Sequence, residues 1–262
     1  MDDVAAMDAV IRENTEKIWP EVVGWNQRVA RAWYPAKGSE LAADDSAVPS
    51  LAISLLVRIS LATASQHLMS VIQHLHHFGP TTLSLHSMLR TAIWGGAQAV
   101  WLLEDDDRDE RAKRATQVEW YSRDNYRMWL NLFNEDTPAS RSRQSWADAK
   151  DDAAGRLAAL GAKPPKVDQT GVVRAVAKRV YAGRPGAGTE SENVWRSLGA
   201  IAHALPWELD TRFAVDDEIG DGLTNRTITA TWSDYAGSLQ DAHEFTRHGW
   251  ILLDRRGAAP VD

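Results

Sequence analysis

Apolar residues recur along most of this chain at spacings of three and four, the period of a helix buried on one side. Strand-like alternation is confined to one late stretch. The pattern predicts a first helix over residues 3–33, broken or kinked near Pro20 and closed by Pro35, with Trp19, Trp25 and Trp33 along its second half. Residues 36–47, AKGSELAADDSA, read as a polar linker. A long helix follows over 49–78, stopped by Gly79 and Pro80, and a second over 81–104. Further helices are expected over 105–134, 139–160, 170–181, 190–205 and 233–254. The segments TRFAV and RTITATW, around IGDGLTN, predict a small β-hairpin over 211–232.

The expected fold class is therefore mainly α: a multi-helix bundle of about seven to nine helices with a small late β-hairpin. It is read as a single helical domain over 1–262, with N-terminal helices in 1–35, a core helical hairpin in 49–104 and the β-hairpin as an insertion. From Ser46 to Leu103 there is no Asp or Glu, and only Arg58 and Arg90 carry fixed charge, which puts this hairpin at the centre of the bundle. Gly95 and Gly96 lie mid-helix, where each costs about 1 kcal/mol relative to Ala, so another helix is expected to approach closely there. Arg90 is expected to find its partner on another helix.

Charge changes the picture locally. The net charge is −7, against nucleic-acid binding by bulk attraction, yet residues 163–203 hold seven lysines and arginines against three acids, leaving −11 for the rest. Cysteine is absent, so disulfides, thiolate nucleophiles and cysteine-ligated zinc are excluded together. The start, MDDVAAMDAV, has acids where a secretory signal needs positive charge, and a cytoplasmic protein is expected. The most apolar stretches, about 49–72 and 91–103, are interrupted or short, so core helices and no membrane contact are expected.

The candidate chemistry lies in the basic region, in WRSLGAIAHALPW, residues 195–207. At 100° per residue, Arg196 and His203 are 700° apart and so fall within 20° of one direction. Val194, Leu198, Ile201 and Leu205 form the opposing apolar stripe. Gly199 and Ala200, nearly without side chains, lie between the two polar residues and would leave a shallow notch with a guanidinium at one end and an imidazole at the other. Such a pair suits a phosphodiester, because guanidinium binds phosphate through paired hydrogen bonds and imidazole moves protons near neutral pH.

Arg followed by His a few residues later, on a helix of an all-helical domain, resembles the HEPN family of nucleases and toxins. The resemblance implies a helical bundle, a homodimer pairing two motifs, and RNA cleavage without a metal or other cofactor, as in a toxin or phage-defence effector. Arg196 and His203 would then be the catalytic residues, with Lys178, Arg179, Arg184 and Asn193 contacting RNA. Ser197 stands where that family often has Asn or another strongly polar residue after the arginine. Elsewhere, HSMLRTAIWGGAQAVWLLE with the late WRSLGAIAHA resembles functionally uncharacterised helical proteins of actinobacterial type. The competing reading is a non-catalytic module that binds a protein or small ligand, in which Gly199 and Ala200 serve a close helix contact and Arg196 pairs with a carboxylate.

Other motifs carry less. His74 and His77, at i and i+3, could chelate a metal, but no carboxylate is near in sequence to orient them, and no metal site is expected. HEFTRH, residues 243–248, separates its histidines by five positions where a helical zinc site needs four. GRPGAGT, residues 183–189, has phosphate-loop glycines but Thr189 in place of the lysine, and follows a helix instead of a strand.

Overall fold

The computed structural model describes residues 2–48, 51–81, 83–133, 143–163, 167–208, 214–220, 223–227 and 230–260. The protein is mainly helical. Its helices are α1 (Asp2–Val29), α2 (Glu40–Ala47), α3 (Ile53–Phe78), α4 (Ser84–Leu103), α5 (Arg108–Leu130), α6 (Arg143–Ala159), α7 (Gln169–Val180), α8 (Ala187–Ala202) and α9 (Ala236–Gly257), the last preceded by a 3-10 turn over Trp232–Tyr235. Ala214–Gly220 and Leu223–Thr227 pair antiparallel as β1 and β2, with register shifts between Val215 and Asp217 and between Glu218 and Gly220. Residues 211–213, 221–222 and 228–229 of the expected hairpin lie outside the described residues, as do 134–142 between α5 and α6.

Two helical expectations need correction. First, α1 is continuous through Pro20, so the expected break is absent, and it ends at Val29, before Pro35. Second, the expected linker contains α2. The Ser39 side chain caps this helix by accepting the Ala42 N–H, and Leu41 and Asp44 are buried. The polar composition of 36–47 hid the helix because Asp44, which looks like a solvated acid, is paired with Arg111 sixty-seven residues later.

The chain divides into two compact units. Unit one comprises residues 1–33, 58–100 and 170–251. Leu61, Leu68, Ile72, Leu89, Ile93, Tyr235 and Phe245 form part of its buried core. The two mid-helix glycines of α4 explain its tightness: a Cβ on Gly95 would meet the Ser60 carbonyl of α3 at 2.5 Å, and one on Gly96 would meet the Thr246 nitrogen of α9 at 2.7 Å. The helical register thus places consecutive glycines against two different neighbours. By length and composition α3 is apolar enough to cross a membrane, contrary to the expectation above, yet half of its apolar window is buried within the protein.

Unit two comprises residues 34–57, 101–169 and 252–262, and is stitched by charge. Arg256, buried, donates to the carbonyls of Leu103 and Asp105 and pairs with Glu40. Glu119, also buried, accepts from Arg123 and Arg156, joining α5 to α6. Tyr126 of α5 stacks on Trp129 and meets Trp146 of α6 at a tilt.

Candidate functional site

Helix α8, in unit one, starts and stops for local reasons. Gly186 at its N-cap has φ +82°, which only glycine adopts without steric cost, so the helix begins at Ala187 and absorbs the end of the GRPGAGT loop. A Cβ on Gly188 would lie 2.9 Å from the Lys178 side chain, so α7 packs directly on this first turn. At the far end the His203 N–H still donates to Gly199, but Ala204 takes φ +52° and the Leu205 N–H turns back to the Ala200 carbonyl. The helix therefore ends at Ala202, short of the expected Leu205.

That early stop alters the apolar stripe. Leu198 and Ile201 are buried as expected, Val194 is half-buried, and Leu205, beyond the reversal, is 43% exposed. Trp195 is the large buried side chain of this helix, accompanied by Ser191, Gly199 and Ala200.

Arg196 and His203 are both exposed, the latter as the C-cap residue. The Arg196 side chain is engaged: its Nε donates to Glu192 Oε1 at 2.9 Å, and the other carboxylate oxygen accepts from Arg174 Nε at 2.5 Å. Hydrogen bonds from Arg174 and Arg196 hold the Glu192 carboxyl down at about 2, so it remains an anion at any working pH. Two guanidiniums thus share this one carboxylate.

The open notch expected between Arg196 and His203 is not formed. Gly199 and Ala200 are buried, and a Cβ on Gly199 would lie 3.2 Å from the Nε of Arg90, which comes from α4. The Arg90 guanidinium carbon sits 3.8 Å from the centre of the Trp195 ring, and Trp195 also meets Trp94 at 6.2 Å between centroids. Arg90 Nε is buried without a hydrogen-bond partner, and burial lowers the pKa of the group. The expected partner on another helix is therefore an aromatic face. The sequence signal existed, since Arg90 is one of two fixed charges in the acid-free hairpin, but nothing linear connected it to α8.

Arg196 and Asn193 line a cavity of about 460 Å³, whose wall also includes Ser197, Trp207, Glu208 and Asp234. His203 is not in that lining. Glu208 is buried and accepts the Ser197 hydroxyl at 2.5 Å, which puts a carboxylate in the wall beside Arg196. Trp207 is half-exposed at the same cavity.

The remaining cations are dispersed. Lys178, Arg179 and Arg184 are all exposed. Lys178 lies along Gly188, and Arg184 pairs with Glu190 while facing the Tyr181 ring at 5.4 Å. Beside them, buried Asp241 accepts from the Tyr181 hydroxyl at 2.9 Å. Burial pushes the Asp241 carboxyl up to about 6 against the opposing hydrogen bonds from Ser191 and Tyr181, and burial likewise raises Tyr181. Among the described residues, no group of three or more His, Cys, Asp or Glu is placed to hold a metal ion. His74 instead contacts Phe78, His76 bonds Thr15 and edges onto Trp232, and His243 is buried against Glu21 and Trp25.

No family model, curated protein or solved structure matches this chain.

Proposed function

We propose that this protein is a HEPN-like, metal-independent ribonuclease, acting as a toxin or phage-defence effector in the cytoplasm, with RNA as its partner and a homodimer as its working form. The observation that carries the reading is the exposure of Arg196 on α8 and of His203 at its C-cap, with Arg196 and Asn193 at the wall of a 460 Å³ cavity. RNA supplies its own nucleophile. As the 2′-oxygen bonds to phosphorus and the bond to the 5′-oxygen breaks, one group must take a proton and another must return one. Arg196 would bind the scissile phosphate and His203 would act as the acid or base, with the second imidazole coming from the partner copy. Lys178, Arg179 and Arg184 would guide the RNA backbone by charge, and Asn193 would hydrogen-bond it.

Expression of the wild type should arrest growth, and Arg196→Ala and His203→Ala should each relieve the arrest. Purified wild type should cleave RNA in EDTA. Equal toxicity of the variants, or intact RNA at high protein concentration, would refute the assignment. The second reading, a non-catalytic protein- or ligand-binding module, is favoured by one observation: Glu192 already occupies Arg196. Glu192→Gln separates the two, because it frees a phosphate-binding guanidinium if RNA is the substrate and changes nothing toward RNA if it is not.

A further inference from the structure

We propose that Arg90 is a phosphate-binding residue, a cation held face-on against Trp195 and set against Gly199, so that its N–H edge is left to grip an oxyanion beside α8. The proposal rests on the phosphodiester reading of α8 for its biological ligand, although the binding itself can be measured without RNA.

Four observations converge. Arg90 is half-buried, and among the described residues it has no acidic partner, unlike Arg111, Arg114, Arg123 and Arg256, each of which reaches at least one carboxylate. Its Nε is buried and bonds to nothing. A guanidinium has five N–H donors in one plane, and stacking on an aromatic ring satisfies the face of that plane while offering the donors no acceptor. Trp195 at 3.8 Å therefore fixes the orientation without neutralising the charge. Finally, the absence of a side chain at Gly199 is what lets the guanidinium lie there, since a Cβ would approach Nε to 3.2 Å. Gly199 is three residues after Arg196 and four before His203, one helical turn from each.

A cation that has lost part of its hydration and gained no counter-charge is unfavourable in the free protein, and an anion arriving from solution supplies what is missing. Paired planar donors match the paired oxygens of an oxyanion, and phosphate is the oxyanion that the phosphodiester reading of α8 supplies. The source can be free phosphate or the backbone of a nucleic acid, and the two are separable by experiment.

Titration with inorganic phosphate against chloride of equal ionic strength should show saturable binding by calorimetry. At about ten times Kd it should raise the thermal midpoint by roughly 3 to 6 °C beyond the chloride control. Arg90→Met keeps the stem and should abolish this anion-specific rise while leaving the midpoint in chloride unchanged or higher, because an uncompensated charge is removed. Arg90→Lys and Gly199→Ala should each weaken phosphate about tenfold, the first by losing the paired donors and the second by displacing them. An all-deoxy oligonucleotide, which cannot be cleaved by its own 2′-oxygen, tests the backbone as source: competition with phosphate assigns the site to nucleic acid, and no competition assigns it to free phosphate. Arg90→Met losing stability equally in both salts would make Arg90 structural and overturn the proposal, as would equal phosphate affinity in wild type and variant. Arg90-dependent phosphate binding with intact RNA upholds the inference and ends the nuclease reading. Cleavage with Arg90-independent phosphate binding does the reverse.

Discussion

Asp44 accepts two hydrogen bonds from the guanidinium of Arg111, at 2.7 and 2.8 Å, and neither side chain is more than 2% exposed. One residue comes from a short helix in a polar stretch and the other from the charged run that begins α5. The Arg111 group also donates to the carbonyls of Asp105 and Asp106, fixing the turn before that helix. Removing one partner of such a pair strands the other as a buried charge. Asp44→Ala should therefore lower the unfolding free energy by about 3 to 5 kcal/mol, measured by urea denaturation, whereas Asp44→Leu combined with Arg111→Met should cost clearly less. Equal losses for the single and double variants would show that the charge pair is not what matters.

Asp241 makes stability fall as pH rises. Its folded-state value of about 6 lies above the roughly 3.9 of an unfolded aspartate, so between those two pH values the folded protein holds a proton that the unfolded chain has released. The associated stability is complete below about pH 4 and is lost as pH passes 6, a change on the order of 2 to 3 kcal/mol. Asp241→Asn keeps an acceptor for Tyr181 and should flatten this component, so that the variant gains on wild type between pH 4.5 and pH 7. Parallel pH–stability curves for the two proteins would contradict the assignment.

Gly96→Ala tests how closely α4 approaches α9. Alanine is the better helix former by about 1 kcal/mol, yet its Cβ would sit 2.7 Å from the Thr246 nitrogen and 2.9 Å from Phe245. Backbone cannot yield as a side-chain tip does, and overpacking of this kind costs roughly 1 to 3 kcal/mol net of the helical gain. A lowered thermal midpoint is expected, and an unchanged or raised one would show that the helices separate easily.

On the ribonuclease reading, Glu192→Gln should strengthen RNA binding and cleavage, because the carboxylate that pairs with Arg174 and Arg196 would compete with phosphate for them. Gel-shift titrations should show a several-fold lower Kd, with the improvement lost again in Glu192→Gln/Arg196→Ala. Weaker RNA binding in the single variant would mean that the carboxylate positions the arginines instead of masking them.

Lys178, Arg179 and Arg184 are expected to act on RNA through charge alone. Replacing one that contacts a phosphate should weaken binding across sequences alike and reduce the slope of log K against log salt by about 0.7 to 1. Arg184 is paired with Glu190 and should show the smallest change of the three.

The helices of the acid-free hairpin, the close approaches at Gly95 and Gly96 and the helical nature of 190–202 were legible in the sequence alone. Each depends on interactions within a few residues or on a period that repeats along one element. The linker reading of 36–47 failed for the opposite reason: Ser39 supplied a capping signal, but the residue that buries Asp44 lies sixty-seven positions away. The exposure of Arg196 and His203 was likewise legible, whereas the early stop of α8 at Ala202 and the burial of Gly199 and Ala200 between them were not. Whether Gly199 opens a notch or receives a neighbour depends on what α4 places there.

The linear order of residues thus determined the mainly helical class, the centre of the apolar core and the one basic segment, because helical periodicity and local charge are properties of neighbours along the chain. Only the tertiary structure decided that Arg90 lies on Trp195 against Gly199, that Glu208 enters the cavity wall beside Arg196, and that Asp241 is buried with Tyr181. These are meetings between helices distant in sequence. Burial, charge pairing and aromatic stacking arise from packing geometry, which no periodicity along a single element encodes.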